Sequence, residues 1–397
     1  MWSVSVILGW ITFEVTNSPL LTALAIGVGA IPQIIAGPLA GVLTDSWDRK
    51  KLMSISLAMQ GLTALIFGFV VSMNLESTWN IFAFAIINGI WGALYFPAAN
   101  ATVPNVVPRR NLVNAFSLVH FADSSTRLFI PATTGALISL VGPGLSLMLP
   151  AVCLLSGYVS CMQVEVPQMV ARRIDLHSAY LDIVSATSYI GSNKAVMGFI
   201  VVLMAPLIFA TPINIGLMPV YASQVFGGGP RELGFLVSTL GAGMTIGTLV
   251  LASVRDTQKL GFITMITMGG MAIGLFLFSK TNSISTALAV LFPYGSILIV
   301  FWTISSTAIQ TIVPDRLRGR VTSLSMITSV SLPIGTLGVG LLSEMVGVQN
   351  ATSISAVGLL VFMILSFVLL PEMSRYRTPD SATEPEVTEA VERQLPS

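Results

Sequence analysis

Three titratable side chains interrupt an apolar stretch in the first third of the chain. His120, Asp123 and Arg127 are spaced at i, i+3 and i+7, which places them on one face of a helix. An Asp or Arg in the middle of a membrane helix costs about 2.5–3.5 kcal/mol on insertion scales, so such residues face a cavity or a partner. Asp123 precedes Arg127 by four residues, the favourable order for a helical ion pair. The pattern predicts either an ion pair that braces the helix or a site for substrate or protons, and both alternatives stay open.

Other polar and aromatic side chains within apolar stretches are weaker candidates. Glu14 is a carboxylate that could carry protons, whereas its neighbours Thr16, Asn17 and Ser18 indicate a position at the membrane interface. A second group could line a cavity for an amphipathic organic molecule or simply pack and anchor the helices at the interface. Its members are Trp91, Tyr95, Asn214, Tyr294, Trp302 and Gln310.

Motifs for enzymatic chemistry and for metal or nucleotide binding are missing from the sequence. It contains no Gly-x-x-x-x-Gly-Lys phosphate loop, no Gly-x-Ser-x-Gly nucleophile elbow and no cluster of His and Cys. Cys153 and Cys161 are eight residues apart in one apolar segment, which supports neither a disulfide framework nor a metal site. We therefore expect no enzyme activity, no cofactor and no metal.

The composition predicts a helical membrane protein. Of 397 residues, 54% are hydrophobic and 9% are charged, whereas a soluble domain carries about 25% charged residues. Apolar segments long enough for membrane helices recur along the chain, and twelve spans result if the short first segment, Met1 to about Phe13, is counted. That segment is too short to cross a bilayer alone, so we expect either a truncated first helix or a start further upstream.

The distribution of basic residues predicts the orientation in the membrane. Alternating loops place sixteen of the Lys and Arg residues on one side and only Arg231 and Lys280 on the other, while Arg127 lies within a span. An excess of Lys and Arg marks the cytoplasmic side. We therefore expect a multi-pass protein of the cell membrane with both termini in the cytoplasm.

The two halves of the chain repeat a loop motif. Val107-Pro108 with the following basic residues and Ser117-Leu118 recurs as Val313-Pro314 with Ser323-Leu324, at a constant offset of 206 residues. Such a repeat indicates two six-helix units related by an axis along the membrane normal. We predict an N-terminal six-helix bundle at 1–163, a cytoplasmic middle loop at 164–195, a C-terminal six-helix bundle at 196–371 and a disordered cytoplasmic tail at 372–397.

The loop between the second and third spans carries a family resemblance. Gly41 and Asp45, followed by Arg49-Lys50-Lys51, resemble the signature loop of the major facilitator superfamily of secondary transporters, although Ser46 and Asp48 depart from the usual pattern. A carboxylate at Asp45 can accept from Arg49. Gly41, Asp45, Arg49 and Lys50 are therefore predicted to form a conformational latch, with a merely solvated loop as the alternative.

Further stretches resemble the branch of this superfamily that contains siderophore and macrolide exporters, the transmembrane secretion effectors. They include Phe96-Pro97-Ala98 and a cytoplasmic loop motif after the tenth span, formed by Pro314, Asp315, Arg318, Gly319 and Arg320. The fifth span keeps only Pro131 and Gly135 of the Gly-Pro-x-x-Gly-Gly element common in antiporters, which weakens the prediction of antiport.

The resemblance implies an all-α transporter of the major facilitator fold that exports a small organic compound, such as a drug, macrolide or siderophore, by proton-coupled alternating access. We expect a monomer in the lipid bilayer, with protons as the coupling ion and no nucleic-acid partner. Uptake of a small solute by a symporter or uniporter is one alternative. A non-transporting membrane sensor or scaffold is the other.

Overall fold

The computed structural model describes residues 2–46, 48–108, 111–164, 187–253, 258–314, 317, 321 and 326–377. A helical segment at 187–192 and a 3₁₀ turn at Met326–Val330 lie within these residues, and besides them the chain forms twelve long helices, in the predicted order, and a short thirteenth. They are α1 (Trp2–Thr16), α2 (Pro19–Ser46), α3 (Arg49–Ser72), α4 (Thr78–Val106), α5 (Leu112–Ser146), α6 (Met148–Gln163), α7 (Lys194–Val225), α8 (Pro230–Ser253), α9 (Leu260–Ser279), α10 (Ile284–Ile312), α11 (Ser331–Val346), α12 (Val348–Leu369) and α13 (Pro371–Ser374).

Length and composition qualify nine helices of the described chain as membrane spans. The other three apolar stretches are shorter: Trp2–Thr16 in α1, Pro19–Pro32 in α2 and Met148–Gln163 in α6. At 1.5 Å per residue, the 15 residues of α1 measure about 22 Å, which is less than the roughly 30 Å of a bilayer core.

Several helices begin where the sequence supplies a polar cap. Asp48 accepts from the backbone N of Lys50 at 3.0 Å and so caps α3, while Ser77 and Asn193 do the same for α4 and α7. A side-chain acceptor at this position satisfies a backbone N–H that has no partner within the helix. Local sequence thus fixes where these helices start.

Two helices depart from regular α geometry. In α5 the helix breaks at Gly142, whose φ of 80° lies in the left-handed region, next to Pro143. In α7 two segments wind as π-helix, Pro212–Leu217 and Tyr221–Val225. Such wide turns are rare and occur frequently at functional sites.

The outer surface of the helices is apolar. Large hydrophobic side chains stay exposed at the periphery, as expected for surfaces that contact lipid rather than water. Examples are Ile66, Leu140, Leu249, Ile273, Phe367 and Val368. A soluble protein rarely exposes so continuous an apolar surface, so these helices are suited to a bilayer.

The first six and the last six helices meet through α2 with α11, α5 with α8, and α1 and α2 with α7. Small residues permit the contact, because a Cβ on Gly340 would lie 3.1 Å from the Cα of Leu20 and one on Gly216 would lie 3.0 Å from the Cα of Ala23. These contacts lie toward the end of the bundle that carries Ser18 and Glu344, here named the Glu344 end. The opposite end, where α3 begins, is the Lys50 end.

A short segment after α12 folds back over the Lys50 end. Met373 is fully buried, the backbone N of Gly261 donates to the carbonyl of Tyr376 at 3.3 Å, and Glu372 pairs with Lys194 at 3.5 Å. Burial raises the pKa of the Tyr376 hydroxyl above its usual value. Residues 372–377, which the sequence assigned to the disordered tail, are thus packed on the bundle because Met373 and Tyr376 provide apolar contacts.

Candidate functional site

The predicted ion pair on α5 is present in the structure. Arg127 Nη2 lies 2.7 Å from Asp123 Oδ2, with 30% of the Arg127 side chain and 44% of the Asp123 side chain exposed. Asp123 lies about 16 Å along the helix from Leu112, at 1.5 Å per residue. A charged pair at this depth is costly against hydrocarbon, so we expect its exposed part to face water or a ligand. The side chain of His120, the third predicted member, lies outside the described structure.

Trp2 of α1 covers the guanidinium of this pair. The Cζ atom of Arg127 lies 5.3 Å from the centroid of the Trp2 ring, within the range of a cation–π interaction. The Nε atom of Arg127 is buried and has no hydrogen-bond partner within the described part of the chain. The Trp2 ring is therefore a second partner of the Arg127 guanidinium, in addition to Asp123. The sequence analysis did not identify Trp2, because nothing in the local pattern links it to a residue 125 positions away.

α8 approaches α5 closely beside the same arginine. A Cβ on Gly241 would collide with the carbonyl oxygen of Arg127, so a glycine is required there. One turn further, the backbone N of Ala132 donates to Ser238 Oγ at 2.8 Å. The ion pair thus lies on a helix that is held against the second set of six helices.

A small cavity opens next to Trp2 at the junction of three helices. Its volume of about 10 Å³ leaves room for roughly one water molecule. Residues of α1, α7 and α8 line it: Trp2, Ser5, Val6, Asn214, Ile215, Pro219, Leu233 and Val237. The cavity is therefore built from both six-helix sets.

Asn214, which lines this cavity, has one polar atom without a partner among the described residues. It is 4% exposed, and its Nδ2 donates to the hydroxyl of Tyr294 on α10 at 2.9 Å. Its Oδ1 is buried without a hydrogen-bond partner among the residues that the structure covers. A buried unpaired acceptor costs free energy, and such atoms occur where water or a ligand binds. Asn214 lies in the first π-helical segment of α7, between Pro212 and Pro219.

The structure brings together two residues that the sequence pattern predicts separately. Arg127 and Asn214 both border Trp2, the first by the cation–π contact and the second across the cavity. Glu14 is exposed near the end of α1, away from this group. Trp91 and Tyr95 on α4 and Trp302 on α10 are half-buried, and Gln310 is exposed. None of these four residues lines the described cavity.

The loop between α2 and α3 is described in part. Gly41 and Asp45 lie within α2, and the surroundings of both residues are outside the described structure. Arg49 is half-buried. Lys50 Nζ donates to the carbonyl of Met162 at 2.8 Å, which ties the loop to the last turn of α6. Asp48, noted in the sequence as a departure from the family pattern, caps α3. In the later loop motif Pro314 is half-buried, and Asp315, Arg318, Gly319 and Arg320 lie outside the described residues.

Solved structures with the same fold are transporters. The structure superposes on the nucleoside transporter NupG with a TM-score of 0.73 and 14% identity, covering 93% of this chain and 95% of that one. The xylose transporter XylE from E. coli gives a TM-score of 0.68 and 13% identity, covering 98% and 96%. Twelve apolar helices in two sets of six have the architecture of the major facilitator fold.

Sequence comparison identifies the family within this class. The family model described as transmembrane secretion effector matches residues 1–395, and the chain belongs to that family of major facilitator transporters. The chain is 25% identical over 353 residues to macrolide efflux protein A of Streptococcus pyogenes, covering 85% of this chain and 84% of that protein.

Two siderophore transporters are also similar to the chain. It is 22% identical over 374 residues to the staphyloferrin A transporter of Staphylococcus aureus, covering 92% of each protein. It is 24% identical over 380 residues to the enterobactin exporter EntS of Shigella boydii, covering 95% of this chain and 87% of that protein. The family and the fold predicted from the sequence are confirmed, and the family consists of transporters rather than enzymes.

Proposed function

We propose that the protein exports a small amphipathic organic compound from the cytoplasm by proton-coupled alternating access. The observation that carries this proposal is the Asp123–Arg127 pair, placed against Trp2 and beside the Asn214 cavity at the junction of the two six-helix sets. A site between two rigid units is reached from one side or the other as the units rock, which is the basis of alternating access. The names of the macrolide and enterobactin relatives support export as the direction.

The Asp123–Arg127 pair suits the coupling of protons to substrate. A carboxylate that is paired with an arginine can release the arginine when a proton or a ligand binds to the carboxylate instead. The change in charge then alters the relative stability of the two conformations. Trp2 offers an aromatic surface for an apolar part of the substrate, and Asn214 Oδ1 offers an acceptor for a hydroxyl or amine. These groups fit an organic molecule with both apolar and hydrogen-bonding parts.

The described state is proposed to face the cytoplasm. The contacts between the sets lie toward the Glu344 end, whereas Asp123 keeps 44% of its side chain exposed. A carboxylate that faces water at this depth needs an aqueous path, and the Lys50 end is the side that the charge distribution assigns to the cytoplasm. In the opposite state Gly41, Asp45, Arg49 and Lys50 would form the latch that holds this end closed, together with the loop that contains Pro314, Asp315, Arg318, Gly319 and Arg320.

The proposal extends to the organisation of the whole chain. Bundles at 1–163 and 196–371 would move as units within one monomer, joined by the cytoplasmic loop at 164–195. Residues 165–186 of that loop and residues 378–397 of the tail lie outside the described part of the chain. His120 and Glu14 remain secondary candidates for coupling, and Trp91, Tyr95, Trp302 and Gln310 for the wall of the path.

Everted membrane vesicles test the proposal. With an imposed pH gradient, acid inside, addition of a transported macrolide or siderophore should release protons and dissipate the gradient. Asp123→Asn removes the charge at nearly constant size and should abolish this response. Glu232→Gln is the matched control, because Glu232 is a carboxylate in the first turn of α8 that accepts from the backbone N of Gly229, directly before the same helix, at 2.7 Å.

The outcome separates export from its alternatives. A response that is equal in the wild type and in Asp123→Asn would exclude Asp123 from coupling. No response to any compound in folded, abundant protein, combined with accumulation of a solute by right-side-out vesicles, would favour uptake. Absence of flux in both preparations would favour a sensor or scaffold.

A further inference from the structure

A carboxylate of the last six helices caps a helix of the first six. Glu344 Oε2 on α11 accepts from Ser18 Oγ at 3.0 Å and from the backbone N of Leu20 at 3.2 Å. Leu20 is in the first turn of α2, where backbone N–H groups have no partner within the helix. Helices usually receive such a cap from a residue just before them in sequence. Here the cap comes from a residue more than 320 positions away.

The charge of the carboxylate suits this position. The N-terminus of a helix carries a partial positive charge, and a nearby carboxylate is stabilised there. Ser18 donates to Glu344 and also accepts from the backbone N of Leu21 at 3.2 Å, so its hydroxyl links the carboxylate to the helix start. The contact therefore depends on Glu344 lying directly over α2.

The same two helices are in close contact below the cap. A Cβ on Gly340 would lie 3.3 Å from the Cβ of Ala23, and one on Gly27 would lie 3.3 Å from the Cα of Pro333. Ala23 is fully buried in this contact. If α2 and α11 separated at this end, the interface would be exposed and Glu344 would leave the start of α2. The cap can thus exist only in conformations in which the Glu344 end is closed.

We propose that Glu344 is a gate residue that stabilises the closed Glu344 end in the transport cycle. This inference rests on the proposed alternating access and assigns a residue outside the Asp123–Arg127 site. Loss of the carboxylate removes the charge and both hydrogen bonds, one from Ser18 and one from the first turn of α2, so the open conformation becomes more populated. From the strength of helix caps and of charge–dipole contacts, the open fraction should rise about three- to tenfold in Glu344→Ala.

A single cysteine in the interface measures the open fraction. In a background with Cys153→Ser and Cys161→Ala, Ala23→Cys should react with a membrane-impermeant thiol reagent, added to intact cells, only when α2 and α11 separate. Glu344→Ala should raise the rate of modification about three- to tenfold. Glu344→Gln, which keeps an acceptor oxygen without the charge, and Ser18→Ala, which removes one of the two donors, should give smaller increases.

Two controls make the result specific. Glu232→Gln removes a carboxylate whose hydrogen bond is local to the start of α8, so it should leave the rate at Ala23→Cys unchanged. Leu75→Cys lies in the turn between α3 and α4 at the same end, and Leu75 is 62% exposed. The thiol of Leu75→Cys should react at the same rate in all backgrounds. This reaction shows that the protein is folded and which side of the membrane the Glu344 end faces.

The outcomes distinguish the gate from the transport proposal. Equal rates at Ala23→Cys in the parent, Glu344→Ala and Glu232→Gln, with Leu75→Cys reactive throughout, would overturn the gate. Reaction of Leu75→Cys only in everted vesicles would overturn the proposed orientation. A higher rate in Glu344→Ala, in a protein that moves no tested compound, would retain the gate and count against export.

Discussion

The bond between Asn214 and Tyr294 provides a quantitative test of whether Asn214 serves the cavity or the stability of the bundle. Both side chains are nearly inaccessible, at 4% and 1% exposure. One polar atom of the amide is bonded at 2.9 Å and the other is unpaired in the described structure. Tyr294→Phe therefore adds one unpaired buried group, whereas Asn214→Leu removes one and creates another.

The free energies follow from that count. Tyr294→Phe removes the hydroxyl and leaves both polar atoms of Asn214 unpaired, which should cost about 1–2 kcal/mol. Asn214→Leu removes the unpaired Oδ1 but leaves the Tyr294 hydroxyl without this partner. These effects oppose each other, so the net change should stay within about 1 kcal/mol. The double variant leaves none of these groups and should be more stable than Tyr294→Phe alone by about 1 kcal/mol.

Unfolding in mixed micelles measures these changes. Cys161 is buried and Cys153 is exposed, so in a Cys153→Ser background the thiol of Cys161 reports unfolding by its reaction with a fluorescent maleimide. Transport of the same variants is measured in parallel, and Asn214→Leu should reduce it strongly at nearly unchanged stability. A loss of 3 kcal/mol or more in Asn214→Leu, or additive effects in the double variant, would refute the reasoning and make Asn214 a structural residue.

Three further predictions concern the surroundings of the site. Trp2→Leu should reduce transport severalfold through loss of the cation–π contact with Arg127, measured as proton-coupled flux, whereas Trp10→Leu on the same helix should have little effect. Asp48→Ala should lower stability by about 1 kcal/mol through loss of the α3 cap while leaving flux nearly unchanged, and Asp45→Ala should show the reverse. Gly241→Val should prevent the close approach of α8 to Arg127, and reduced thermal stability with wild-type membrane insertion would show it.

Local pattern predicted the parts of the site that lie on one helix. Asp123 and Arg127 form the ion pair that their spacing indicates, because residues four apart on a helix are neighbours whatever surrounds them. Asn214 belongs to the group of polar and aromatic residues within apolar stretches that could line a cavity, and the structure places it there. These inferences needed only helical periodicity and the cost of burying polar groups.

The parts that local pattern missed depend on contacts between distant helices. Trp2 reaches Arg127 from another helix, and Glu344 caps α2 from the opposite six-helix set, so no spacing in the sequence connects either pair. Asp48 was accessible to sequence reasoning, because an Asp directly before a helix start is a strong cap candidate. In the family pattern Asp48 is only a departure from the usual residue, and its role as the cap of α3 is not part of that pattern.

The π-helical segments of α7 have a consequence for comparing this protein with its relatives. A hydrogen bond in a π-helical turn spans five residues instead of four, so each segment accommodates surplus chain within the same helix length. A relative whose seventh helix is regular will need a gap at Pro212–Leu217 and again at Tyr221–Val225. An alignment without the first gap places the residues between the two segments one position off, a rotation of about 100° around the helix, and an alignment without either gap places the residues after the second segment two positions off. Binding residues transferred past 212 by sequence alone would therefore be assigned to the wrong face.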